Sequence, residues 1–303
     1  MAILLCFFIF ILFFIYIEPC KEAAVSSLIF FTKSIFPSLF PFCVITSVLI
    51  ETNFSECLGK YAAKLSPKAI NIPTKAFGII ILGSFAGFPT GAKLTAQMYS
   101  KGEISKNQAE IICSMSNIPS FIFMTSIIGK SILNNYLYGL IMWIIILFSS
   151  VFVNVFYKKE KIYIATVVKK KRDNIPRLFC KSISNTIYLM LSVCSFIVFF
   201  SCINALINSF SFLSYKIKLL IAPIFELASG SKNFALSFFT NHSCLSIAII
   251  CALCSWSGMS VHMQVYNILS EYNLSCKKYF ISKILSTFTC FLVTYIIFFI
   301  LKK

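Results

Sequence analysis

Long apolar runs separated by short polar interruptions dominate the chain. Residues 3–17 form the first run, ended by Glu18-Pro19. The second covers 28–50 and carries Pro37 and Pro41, which predict a kinked or broken helix. Residues 51–75 are more polar, with Lys60, Lys64, Lys68 and Lys75, and are expected to lie along the membrane interface. An apolar run resumes at 76–84 and is interrupted by Gly83, Gly87, Pro89 and Gly91. Ser105 and Gln108 have the spacing of a capping box, predicting a helix start there, and Ile118-Pro119 predicts its end. Further runs follow at 133–157, 183–207, 217–227 (short, with Pro223), 234–253 and 280–301, with an interruption at 255–260. Runs near the roughly 20 residues that cross a bilayer core predict an all-α polytopic membrane bundle of about eight hydrophobic segments, several too short or too broken to cross by themselves.

A weak internal repeat overlies this pattern. Ser84-Phe85-Ala86-Gly87-Phe88-Pro89 is matched 171 residues later by Ser255-Trp256-Ser257-Gly258-Met259-Ser260. Each hexapeptide follows an apolar run and precedes an amphipathic stretch. Each also has a proline-bearing segment upstream, 36–42 in one case and 222–227 in the other. The expected architecture is therefore two related halves, read as inverted, with broken or re-entrant helices. The division places an N-terminal transmembrane half at 1–157, a basic cytosolic linker at 158–181 and a C-terminal transmembrane half at 182–303.

Irregular backbone survives at membrane depth only where protein or water satisfies its N–H and C=O groups, so paired interruptions point to a substrate site. A broken helix also offers free N–H groups and the positive end of its dipole to an anion. In Gly87-Phe88-Pro89-Thr90-Gly91-Ala92-Lys93 the glycines allow close backbone approach, Thr90 supplies a hydroxyl and Lys93 a positive charge. The second half offers Gly258, Ser260, His262 and Gln264. For any single glycine, plain helix packing is the better reading, and it is the two related clusters with their polar groups that favour a binding site. Glu226 is either an intramembrane functional acid or an interfacial partner of Lys218 or Lys232. Asn117, at the break before Ile118-Pro119, is a candidate polar contact whose alternative role is a cap.

Composition narrows the picture. Apolar residues make up 58% of the chain and charged ones 12%, too few charges to cover a water-soluble body of this size. The excess of 27 basic over 10 acidic residues, a net +17, invites a nucleic-acid reading. The basic residues sit mainly at the ends of apolar runs, however, with the densest group at Lys158, Lys159, Lys161, Lys169, Lys170, Lys171, Arg172, Arg177 and Lys181. That placement fits anionic lipid headgroups and a cytosolic loop, and no nucleic-acid partner is expected. Lys302-Lys303 argue for a cytosolic C-terminus, whereas strict inversion puts it outside, so a segment is re-entrant or one of the two premises fails. The 13 cysteines lie mostly in apolar runs and read as reduced core thiols. With two histidines and a single C-x-x-C, no metal and no cofactor is expected. Residues 1–17 lack the basic start and the cleavage site of a signal peptide and read as a retained helix. No catalytic residue is assigned: Ser257 and His262 stand five apart in one broken segment, and no H-E-x-x-H or Walker A pattern occurs.

Five segments resemble the YlbJ (SpoVV) family of sporulation integral membrane proteins. They are Pro37-Ser38-Leu39-Phe40-Pro41-Phe42, the stretch Gly87 to Thr95, Lys101-Gly102-Glu103-Ile104-Ser105, Glu226-Leu227-Ala228-Ser229-Gly230, and Gly258 to Val265. They fall in the family's order between about residues 36 and 285. The chain departs at Ser116-Asn117-Ile118-Pro119, where the family typically has paired asparagines before a small residue, glycine and proline. The resemblance implies a transporter-like architecture of the Gate, or nucleoside-recognition, type. It also implies transport of a small organic anion, dipicolinic acid, across the outer forespore membrane. Alternatives left open by the residues are another small solute such as a nucleoside, and a non-transporting spore-envelope assembly role. The expected partners are the organic anion and membrane lipids.

Overall fold

The computed structural model describes residues 2–52, 54–65, 72–155, 174–227, 230 and 243–301. The basic run 158–172, most of 234–243 and Lys302-Lys303 fall outside these residues. Among the described residues every regular element is a helix. In chain order they are α1 (Ala2–Ile15), α2 (Ile17–Glu51), α3 (Phe54–Leu65), α4 (Thr74–Ala86), α5 (Thr90–Ser100), α6 (Lys106–Ser116), α7 (Phe123–Ile132, wound with wide π-type turns), α8 (Tyr136–Asn154), α9 (Ile175–Ser209), α10 (Tyr215–Phe225), α11 (Cys244–Trp256), α12 (Met259–Glu271) and α13 (Lys277–Leu301).

Among the described residues, five stretches are long and apolar enough to cross a membrane: α2, α8, α9, the pair α11–α12 taken through its break, and α13. Their outward faces carry large, mostly exposed apolar side chains, including Tyr188, Phe148 and Phe288. Water would penalise such faces and lipid does not. The chain is an all-α polytopic membrane protein.

Several boundaries differ from those read in the sequence, each for a local reason. Glu18-Pro19 does not end a helix. Pro19 falls in the first turn of α2, where its missing N–H leaves no bond unmade. Pro37 and Pro41 do not break α2 either. Its backbone widens into a π turn at Phe31–Ile35, where the Phe36 N–H reaches the Phe31 carbonyl, and the Ser38 hydroxyl donates to the carbonyls of Ser34 (2.7 Å) and Ile35 (2.9 Å). The result is one continuous helix of 35 residues. The last residues of the expected linker, 175–181, form the first turns of α9. By contrast, the capping box at Ser105 is present in full: the Gln108 N–H donates to Ser105 Oγ at 3.2 Å and the Ser105 N–H to Gln108 Oε1 at 3.0 Å.

Among the described residues the two halves repeat one succession of elements. A 35-residue helix (α2, α9) is followed by a short helix (α3, α10), then by a helix, a break and a second helix (α4–α5, α11–α12). Next comes a span that is interrupted at Asn117 in the first half (α6–α7) and continuous in the second (α13). The breaks are thus equivalent, but the proline-bearing segments are not. Residues 36–42 lie inside the long helix α2, whereas 222–225 close the short helix α10.

The long helices α2 and α9 pack against each other, as do α5 and α12, so the two breaks converge. In lipid the hydrophobic effect does not hold helices together, and close backbone approach does. Gly83, Gly91 and Ser116 bring α4, α5 and α6 together at the first break: a Cβ on Gly91 would lie 2.2 Å from the Ser116 carbonyl oxygen. Gly91→Ala is expected to cost about 2–4 kcal/mol by forcing these backbones apart. Gly102→Ala, whose Cβ meets open space, should cost only about 1 kcal/mol for its left-handed backbone. Thermal unfolding of the two variants in detergent checks this, and equal shifts would remove the close-packing account.

Candidate functional site

Both breaks use backbone that ordinary L residues avoid. Gly87 closes α4 with φ of +80°, and a Cβ there would stand 2.6 Å from Ser120. In the second half Ser257 (φ +79°) and Gly258 (φ +81°) turn the chain between α11 and α12. Ser257 is the costlier choice, because its Cβ crowds the backbone in the left-handed region. Its hydroxyl makes up part of that cost by bonding the carbonyls of Cys254 (3.3 Å) and Ser255 (3.2 Å).

A cleft lies where the breaks meet. Gly87 and Phe88 line it from the first break, and Ser260, Val261 and Gln264 from the first turns of α12. Glu226 and Leu227 enter from the end of α10, Ile35, Ser38 and Leu39 from α2, and Val193 and Ile197 from α9. Ser120, Phe123 and Ile127 complete the wall around the start of α7. A mostly apolar wall with a few convergent polar groups is the usual make-up of a small-molecule site. Here the polar groups are Ser38, Ser120, Glu226, Ser260 and Gln264. Gln264 Oε1 is buried and has no hydrogen-bond partner among the described residues.

The residues singled out in the sequence divide into three groups. Gly87, Phe88, Glu226, Ser260 and Gln264 line the cleft. Asn117 and His262 do not; they meet at Tyr279 of α13, whose hydroxyl lies 3.3 Å from Asn117 Nδ2 and 3.0 Å from His262 Nδ1. This cluster ties α6 of one half to α12 and α13 of the other. His262 Nε2 and Asn117 Oδ1 are buried without a partner among the described residues, and the Trp256 ring sits 4.4 Å from the His262 ring.

Pro89, Thr90, Gly91, Lys93 and Gly258 form the third group, which shapes the breaks without lining the cleft. Thr90 Oγ1 lies 3.1 Å from Cys43 Sγ. Lys93 donates its ammonium to the Asn185 carbonyl of α9 at 2.7 Å, pinning α5 to that helix. Its counterpart in the repeat is Gln264, which does face the cleft. Glu226 is 1% exposed. Of the two lysines considered as its partners, Lys218 donates to the Asn208 carbonyl, and Lys232 is outside the described residues.

Two residues escaped the sequence reading. Tyr279 gives no sequence signal, since aromatics abound at span ends. Lys283 does give one: it is a lone cation inside the last apolar run, and an ionisable group at membrane depth is by default a functional candidate. It is buried on α13 and bonds the second break.

No family model and no solved structure matches the chain. The chain is similar to the sporulation integral membrane protein YlbJ of Bacillus subtilis (strain 168), with 23% identity over an alignment of 304 positions covering 87% of this chain and 74% of that protein. With the order of the motifs and the all-helical membrane fold, this likeness supports assigning the chain to the YlbJ family of sporulation integral membrane proteins.

Proposed function

We propose that the protein serves sporulation as a transporter of a small planar organic anion, with dipicolinate the first candidate and the outer forespore membrane the site of action. The observation that carries this reading is the convergence of both helix breaks on a single cleft. A carrier that must open to either side of a membrane needs its cargo held between two halves that can move against each other, and the junction of two repeats offers that. Phe88 and Phe123 line the cleft and can pack against a planar ring, and the α12 N-terminus offers a positive dipole end to a carboxylate. The relative's role as a sporulation membrane protein supports the cellular setting. No covalent chemistry is assigned to the site.

A second cargo class has an observation of its own. The ionisable group in the cleft wall is Glu226, whereas the ammonium of Lys93 is engaged at Asn185. A carboxylate and an amide suit a neutral ring bearing hydrogen-bond donors, such as a nucleoside.

Uptake of labelled dipicolinate and of a labelled nucleoside into vesicles containing the protein separates the two. The anion reading expects dipicolinate uptake above that of empty vesicles, undiminished by Glu226→Gln. The nucleoside reading expects nucleoside uptake, abolished by the same change. Absence of both fluxes, with normal dipicolinate filling of spores from a deletion strain, would overturn the transport proposal.

The placement of Gln264 and Lys93 gives a further prediction. Gln264→Ala should raise the KM of the transported solute by about tenfold, the loss of one hydrogen bond in a buried site. Lys93→Ala should leave KM nearly unchanged and lower the thermal stability instead. Steady-state flux with a parallel unfolding measurement checks both, and a large KM effect from Lys93→Ala would put the anion anchor back on that residue.

A further inference from the structure

The second break carries a charge that the cleft does not use. Lys283 lies in the second turn of α13 and is 3% exposed, and its ammonium donates to the Ser255 carbonyl at 3.1 Å and to Ser257 Oγ at 3.0 Å. The face of the Tyr279 ring lies 5.8 Å away. Among the described residues the ion pairs join Lys21 to Glu18, Lys75 to Glu103, Lys101 to Glu51 and Lys278 to Glu110, and none includes Lys283. Lys283 is also absent from the cleft wall. Its hydrogen-bond partners are thus neutral oxygens of one particular kind, with the thiols of Cys290 and Cys113 as further neighbours. Ser255 belongs to the last turn of α11, where carbonyls run out of intrahelical donors and the negative end of the helix dipole collects.

Unwound carbonyls and half-helix C-termini are what discontinuous membrane helices use to hold a small monovalent cation. The first half shows what the same position takes when no charge is supplied. Ser84 corresponds to Ser255 in the repeat, and its carbonyl accepts from the neutral indole N–H of Trp143 at 3.3 Å. A cation buried with no carboxylate costs several kcal/mol in general, so a position that keeps one where a neutral donor serves its twin points to a need for the charge itself.

We propose that Lys283 is a resident cation: its ammonium fills, from within the chain, a monovalent-cation site at the second helix break, so that this break is held without bound sodium or potassium. The inference does not depend on which solute the cleft carries.

Thermal unfolding of the full-length protein in detergent tests it, in sodium, potassium, methylammonium and choline chloride at one ionic strength. The wild-type midpoint should be the same in all four salts. Lys283→Ala, which empties the site, should lower the midpoint in choline by on the order of 5–10 °C and regain at least half of the loss in sodium or methylammonium. Lys283→Met keeps the volume without the charge; it should be destabilised and insensitive to the salt, because its side chain blocks the site. A wild-type midpoint that rises in sodium relative to choline would overturn the proposal. So would a Lys283→Met variant as stable as wild type, or a Lys283→Ala variant that small cations leave unchanged. Failure of Lys283→Ala to fold even when purified in methylammonium would count against it equally, and the wild-type and Lys283→Met arms would still be decisive.

Discussion

A peptide group in hydrocarbon has no water to bond, and most of this structure can be traced to how the two interrupted helices meet that constraint. Each interruption strands backbone carbonyls at the end of one half-helix. In the first half an indole N–H from α8 reaches the Ser84 carbonyl, and in the second an ammonium from α13 reaches Ser255. Both donors come from neighbouring spans, so the breaks exist only inside the assembled bundle. Glycines handle the geometry: Gly87 and Gly258 turn the chain, and Gly91 lets α5 press its backbone against the end of α6.

Once satisfied in this way, the two breaks can face each other across a cleft. The long helices α2 and α9 lie side by side, and α5 touches α12. The cleft wall therefore draws on both halves and on the segments that precede each break. Its polar groups are few and its apolar side chains many, a balance that suits a small solute with few polar substituents. Behind the second break, Tyr279 joins Asn117 to His262 and couples the halves by hydrogen bonds away from the cleft.

The fold class was legible in the sequence because hydropathy and span length are direct readings of the bilayer as solvent. The breaks were legible too, since glycine and proline clusters in an apolar run have few other uses. What the one-dimensional pattern lacks is the direction in which a side chain points. Lys93 and Gln264 hold the same place in the repeat, yet one turns to Asn185 and the other to the cleft. Pro37 and Pro41 read as a break because a proline removes a donor, and the compensation by a π turn and by Ser38 is a three-dimensional event. Matching the proline segments of the two halves failed for a related reason: similar residues recur in elements that hold different places in the succession. Lys283 was visible as a lone intramembrane charge, but its partners, two oxygens of a distant break, were not.

On the proposed function, both halves present their breaks to one and the same solute site. Chemical protection tests it most directly, in a chain cleared of its native cysteines and carrying a single cysteine at Ser38 or at Ser260. A small water-soluble thiol reagent should label both positions, and the transported solute should protect both with the same half-saturating concentration. Protection of one position only, or at clearly different concentrations, would contradict a shared cleft.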